Sequence, residues 1–163
     1  MPNTQFDPRV EVGNVNLFKG EFLSMGIRQE PALPHHVSNR IIDPTKPFFI
    51  DLKWKVTGAE VPLRMNAVSD WRIYAYVESM GPGPEVSLTA APAVVPRGAI
   101  NANEMSWSHS IQVAANQLAE HLPNSGVYKL VVVVFANSTL PGPGDDVIGY
   151  TELAFLLGSE DPR

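Results

Sequence analysis

The chain contains no cysteine in its 163 residues. That excludes disulfides, thiolate zinc sites and a cysteine nucleophile, and it accords with a reducing compartment. Charge is sparse as well: 18% of residues are charged, 12 basic against 17 acidic, giving a formal charge of −5. No cluster of lysine or arginine offers the footprint that a phosphate backbone requires, so nucleic acid is not an expected partner. Long hydrophobic runs are also missing. The longest, Leu130 to Ala136, falls far short of the roughly 20 apolar residues that span a bilayer, and the opening MPNTQFDPRVEVGNVN has neither a basic nor an apolar leader region. The expectation is a cytoplasmic, unprocessed protein without membrane insertion.

What the chain does have is 15 prolines and 12 glycines, which suit short strands joined by stiff loops better than helices. Its length is that of one domain with a core large enough to need no staples. Residues 1–47 read as an amino-terminal strand and irregular segment, 48–157 as the folded core and 158–163 as a tail. The clearest strand is Phe48 to Val56, where Phe48, Ile50, Leu52, Trp54 and Val56 alternate with Asp51, Lys53 and Lys55. Trp71 to Val77 follows, with Trp71, Ile73, Ala75 and Val77 on one face and Arg72, Tyr74 and Tyr76 on the other. Met105 to Val113 places Met105, Trp107, His109, Ile111 and Val113 together. Val127 to Phe135 and Val147 to about Leu157 read as a long-looped hairpin. Shorter strands are expected near Val86 and Ile41, and a first one within Val15 to Ile27. Ala114 to Leu122 alone looks helical, a crossover stopped by Pro123.

Lettered A to G in order, the strands from Val15, Phe48, Trp71, Val86, Met105, Val127 and Val147 number seven. Two local features carry a resemblance: Trp71 opening strand C on its core face, and Leu122-Pro-Asn-Ser-Gly-Val-Tyr128 leading into strand F. The second resembles a tyrosine corner. On these residues the chain is similar, at the level of fold, to the immunoglobulin-like and fibronectin-III-like β-sandwich superfamily. The resemblance implies an all-β antiparallel sandwich of about seven strands, with Tyr128 tying the crossover to the sheet and Leu122 closing the end of the core. The sandwich disulfide is missing, a proline follows the leucine directly, and the crossover is longer and more helical than in that superfamily. No particular function comes with such a fold.

No set of residues meets the demands of catalysis. There is no GxSxG elbow, no HExxH and no phosphate-binding loop, and the glycines of MGPGPE and LPGPGDD are interleaved with prolines that have no N–H to give a phosphate. His35 and His36 are adjacent, so in an extended segment they point apart and do not converge on a metal. His109 reads as an interior or rim residue, and His121 as lying near the end of the short helix. No metal, cofactor or enzymatic activity is expected.

Two surfaces remain as candidates. In sandwich topology the loops 57–70, 91–103 and 137–146 emerge at one end. Their Glu60, Asp70, Asn137, Asp145 and Asp146 supply the oxygen ligands that calcium or a carbohydrate would use. The other surface follows from parity. With Tyr128 on the core, Leu130, Val132 and Val134 point inward, which sends Val131, Val133 and Phe135 to the outer face beside Tyr74 and Tyr76. Such an apolar face calls for a cover, either residues 1–47 or another subunit. The leading expectation is a non-enzymatic interaction or structural subunit whose partner is another protein or a second copy; the alternative is a ligand-binding domain using the loop end.

Overall fold

The computed structural model describes residues 4–7, 17–29, 41–80, 85–89, 91–118, 127–138 and 147–157. In chain order these form β1 (Thr4–Asp7), β2 (Lys19–Arg28), β3 (Ile41–Ile42), β4 (Phe48–Thr57), α1 (Val61–Met65), β5 (Val68–Ser79), β6 (Val86–Ser87), β7 (Ala93–Pro96), β8 (Glu104–Val113), β9 (Val127–Ser138) and β10 (Ile148–Leu157). The fold is all-β, in two sheets. The smaller has the order β2-β4-β8; the larger runs β1-β10-β9-β5-β6, with β7 also on β5 and β3 also on β10. Every pairing is antiparallel except that of β3 with β10.

Alternation decides which side of each sheet meets the other. In β4, Phe48, Ile50, Leu52, Trp54 and Val56 are buried. In β5, Val68, Trp71, Ile73, Ala75 and Val77 are buried in the same way. These rows meet in one core, because a pleated strand sends successive side chains to opposite faces and only the apolar row gains by leaving water. At its centre three indoles pack together: Trp54 and Trp71 have ring centroids 5.8 Å apart, Trp54 and Trp107 6.0 Å, and Trp71 and Trp107 5.0 Å. Towards the other end Phe155 joins Phe48 at 6.3 Å and Tyr128 at 5.9 Å. Trp71 and Tyr128 therefore face the core as parity required, and so do Met105, Trp107, His109, Ile111 and Val113 along β8, where Trp107 and His109 are half-buried.

Three segments depart from the sequence reading. Of the expected helix at Ala114 to Leu122, residues 119–122 lie outside the described residues, and 114–118 form a turn with Asn116 at φ 67°, a left-handed conformation that no right-handed helix contains. The Asn116 N–H donates instead to the Pro44 carbonyl at 2.7 Å. The one helix among the described residues, α1, lies in the stretch expected to be open loop, and it starts with proline in its first turn, where the missing N–H costs nothing. β7 occupies part of the expected loop 91–103, while β6, the strand near Val86, pairs with β5. Leu122, His35, His36 and His121 lie outside the described residues, as does the start of the first expected strand at Val15. Among the described residues no helix is long and apolar enough to cross a membrane.

Candidate functional site

The outer face of the larger sheet is built by the even-numbered residues of β5 and β10 and the odd-numbered residues of β9. Register aligns them in rows: Val94, Arg72, Phe135 and Ile148; then Tyr74, Val133 and Tyr150; then Ser87, Tyr76, Val131 and Glu152; then Glu78, Lys129 and Ala154. The first two rows form an apolar band. The Tyr74 and Phe135 rings stack with centroids 5.8 Å apart and planes inclined by 9°. Tyr74 is 40% exposed, Ile148 40% and Val94 50%, whereas Val131 is 2% exposed and already covered between Tyr76 and Glu152. Of the five residues expected on this face, all five are there, but Val131 has little surface left to give.

Polar groups close the band at both ends. At one end the Lys129 ammonium lies 3.1 Å from Glu78 and 3.5 Å from Glu152, and the Tyr150 hydroxyl donates to Glu152. The Lys129 pKa is raised, first by its hydrogen bond to Glu78. The Tyr150 phenol is likewise held above its ordinary value by its bond to the Glu152 carboxylate, and the Tyr76 phenol by burial and then by Glu85 and Glu78. At the other end the Asp70 carboxylate pairs with the guanidinium of Arg72, which itself stands in the first row between Val94 and Phe135. The face thus has an apolar centre with charged groups near its margins.

The second surface, the loop end, is a set of joined loops. Thr57 lies beside Glu104, Val68 beside Ser138, and Asp70 beside both Pro96 and Asn137, so the β4–β5, β7–β8 and β9–β10 connections all emerge there. Two of them are stitched together. Gly58 N–H donates to the Asn103 carbonyl at 2.8 Å, while Arg97 Nη1 donates to the carbonyls of Met65 and Val68 at 3.2 and 3.1 Å. The Trp107 indole N–H bonds the Arg97 carbonyl at 3.0 Å, fixing the same loop to β8.

Asp70 and Asn137 are brought together, Asn137 Nδ2 reaching Asp70 Oδ2 at 3.4 Å and Ser69 Oγ at 3.2 Å. The Asp70 carboxylate is committed: Arg72 above all, with Ser69 and Asn137, holds its pKa below the ordinary carboxylate value against the opposing effect of burial. Glu60 stands just before α1 and is ion-paired to Arg64 at 3.0 Å, the guanidinium of which sits 5.1 Å from the Phe18 ring centre. Asp145 and Asp146 lie outside the described residues. Among the described residues no three acidic or histidine side chains gather in a way that holds a metal ion.

Sequence reasoning missed Ile148, Tyr150, Glu152 and Val94 on the sheet face. The first three had a signal in the alternation of Ile148, Tyr150, Glu152 and Ala154 with Gly149, Thr151, Leu153 and Phe155; Val94 had none, sitting between Pro92 and Pro96. The described parts of residues 1–47 lie in the sheets: β1 and β3 border β10, and β2 belongs to the opposite sheet. No known protein-family model matches the chain, and no curated protein matches it.

Proposed function

We propose that this protein works by binding, as a non-enzymatic interaction or structural subunit that presents the outer face of β5, β9 and β10 to another protein. The observation that carries the reading is the contrast between two solvent-side faces of one molecule. On the smaller sheet the outward side is mainly ionic, its Phe49 lying under the Arg28 guanidinium at 4.4 Å: Lys55 lies 3.2 Å from Glu21 and 3.5 Å from Glu104, and Arg28 2.8 Å from Asp51. On the larger sheet two adjoining outward rows carry Tyr74, Phe135, Val133, Ile148 and Val94, with Arg72 as their one charged residue. Apolar area of this kind stabilises an assembly by about 25 cal/mol for each Å2 withdrawn from water. The loop end is the weaker candidate, since Asp70 and Glu60 already have guanidinium partners.

We infer also that the arrangement is immunoglobulin-like. β2, β4 and β8 would stand for strands A, B and E, and β5, β9 and β10 for C, F and G, with β6 and β7 flanking C in the manner of extra strands on that sheet.

The test is Val133→Asp, which puts a carboxylate in the middle of the band without touching the core. Buried in an interface, that charge has no partner and is costly to desolvate. The wild type should form a complex, with a protein from its source lysate or with itself, that the variant loses while its melting temperature holds. A large drop in melting temperature would mean that residues 1–47 cover the band within the monomer. No complex from either protein would sink the proposal.

A further inference from the structure

The edges of the two sheets are protected unequally. On the larger sheet the bordering strands β1, β3, β6 and β7 run for only 4, 2, 2 and 4 residues, and β7 ends in proline. On the smaller sheet β2 carries a bulge between Phe22 and Ser24 and charged residues at Lys19, Glu21 and Arg28. These are the devices that keep strand edges from recruiting other strands. β8 has none of them along its length. It pairs with β4 in unbroken register for all 10 residues, contains no proline or lysine, and has one charged residue, Glu104, at its start. Among the described residues no strand pairs with its far side.

The direction of its backbone groups can be worked out. Gly58 N–H bonds the Asn103 carbonyl, which makes Gly58 and Asn103 a hydrogen-bonded pair continuing the β4–β8 ladder. Such pairs recur at every second residue of an antiparallel ladder. Met105, Trp107, His109, Ile111 and Val113 therefore bond β4, and Glu104, Ser106, Ser108, Ser110 and Gln112 turn their N–H and C=O groups outward. Their side chains are all exposed.

About Ser108 this strand is symmetric in residue class, though only Ser106 and Ser110 are identical: ring faces ring, hydroxyl faces hydroxyl, apolar faces apolar, and the two long polar side chains face each other. Trp107 and His109 flank it, then Ser106 and Ser110, then Met105 and Ile111, then Glu104 and Gln112. From this self-complementarity we propose that the β8 edge is a homodimer interface, in which β8 pairs antiparallel with β8 of a second copy about a two-fold axis at Ser108 and joins the two smaller sheets into one.

That register opposes Ser108 to Ser108, Ser106 to Ser110 and Glu104 to Gln112, so all the outward-bonding residues meet outward-bonding residues and each pair exchanges two hydrogen bonds. On the core side Trp107 lies beside His109, and Met105 beside Ile111. No like charges are opposed, and small hydroxyl side chains at the axis leave the backbones free to approach. A symmetric contact requires this kind of self-matching patch, which an edge recruiting an unrelated strand does not. The interface is separate from the outer face of β5, β9 and β10, so the dimer leaves that face open for the binding proposed above.

The experiment is amide hydrogen exchange with sedimentation, on the wild type, Ser108→Glu, Ser108→Pro and Val133→Asp. Ser108 lies directly across from Lys53, so glutamate there suits the monomer, yet it faces its own copy across the axis. Proline removes only an outward N–H and leaves the β4 ladder whole. In the wild type the amides of Ser106, Ser108 and Ser110 should exchange slowly at high concentration and lose that protection on dilution, with Trp107 and His109 protected throughout. Both Ser108 variants should sediment at half the wild-type mass with an unchanged melt at monomer concentrations, and Val133→Asp should remain dimeric. A wild type that is monomeric at its solubility limit overturns the proposal, as does fast exchange at the three serines at every concentration. So does a dimer that survives both Ser108 variants. A dimer split by Val133→Asp alone would also overturn it, while favouring self-association through the sheet face.

Discussion

Gly58 and Gly98 make a controlled pair, because both have positive φ, at 124° and 75°, and differ in what surrounds them. A Cβ added at Gly98 meets nothing within 4 Å. At Gly58 it would run into the Leu17 carbonyl oxygen and come within 2.7 Å of the Phe18 nitrogen, atoms of a backbone that cannot swing aside as a side chain would. Gly98→Ala should therefore cost only the conformational penalty of an L-residue in left-handed space, about 1–2 kcal/mol. Gly58→Ala carries at least that penalty, at a φ further from the left-handed well. It must also push Leu17 away, and the Leu17 carbonyl is the acceptor for the Glu60 N–H at 2.7 Å. Losing that bond adds about 1 kcal/mol and the residual strain about as much again, for a total of about 3–4 kcal/mol. Urea denaturation of the two variants reads the difference directly as a shift in midpoint at constant slope. Equal costs for the two would mean that the chain before β2 does not cross Gly58 as described, and the packing of Phe18 beside α1 would fall with it.

Other consequences follow from the same contacts. Trp71→Ala should cost about 3–5 kcal/mol, since it empties the centre of the indole cluster, where two flanking sheets prevent collapse; a midpoint shift equivalent to less than about 1 kcal/mol would refute that packing. Arg97→Met keeps the aliphatic stem but removes the guanidinium from the Met65 and Val68 carbonyls; the loss should be about 1.5–3 kcal/mol, with faster proteolysis in residues 97–103. Acid should weaken the fold. The pKa of Asp51 is lowered, first by its bond to Arg28 and then by Ser110 against burial, and those of Asp43 and Asp70 by Thr45 and Arg72. A carboxylate whose folded pKa is depressed contributes stability above its unfolded value, about 3.9, and loses it as pH falls through the folded pKa. Melting temperature should thus decline below about pH 4, and Asp51→Asn should flatten part of that decline, modestly because the pair is surface-exposed.

How much of this could be read from the sequence depended on whether a local pattern had a tertiary competitor. β4, β5, β8 and β9 were legible because two-residue alternation is enforced by the core itself, and nothing else in the chain offered those side chains a better place. Ala114 to Leu122 was misread because alanine, glutamine and leucine favour helix only weakly over so few residues. A single bond from Asn116 N–H to the Pro44 carbonyl, across the end of the fold, fixes a left-handed residue where the helix would have run. β7 was hidden by its prolines. At a sheet edge they are tolerated, and an edge strand cannot be told from a loop without its partner β5. Asp70 and Glu60 at the loop end had partners that spacing could disclose: Asp70 and Arg72 two apart on a strand face, Glu60 and Arg64 four apart along a helical turn.

The outer sheet face was legible for the same reason as the core, yet its meaning needs a further step. Valine, tyrosine and phenylalanine also favour strands for reasons of shape alone, so an outward Val133 or Phe135 could be no more than β-propensity at work. β4 answers that objection. It is central in its sheet as β9 is in the larger one, it is nearly as long, and it keeps its inward row apolar while turning Asp51, Lys53, Lys55 and Thr57 outward with a single apolar residue, Phe49. This chain therefore forms a stable central strand with charge on its solvent side, and β9 is not obliged to spend valine and phenylalanine there. The position of the excess is informative as well. Its exposed part is concentrated in the rows from Val94 to Ile148 and from Tyr74 to Tyr150; Asp70 with Arg72, which stands in the first of these rows, marks one end, and Lys129 with Glu78 and Glu152 marks the other, beyond Tyr76 and the buried Val131. General strand propensity would distribute apolar residues along the whole length of β5, β9 and β10. A band bounded at both ends is what a surface of limited extent requires, and Val133, at its centre and partly exposed, is the position where one charge tests it.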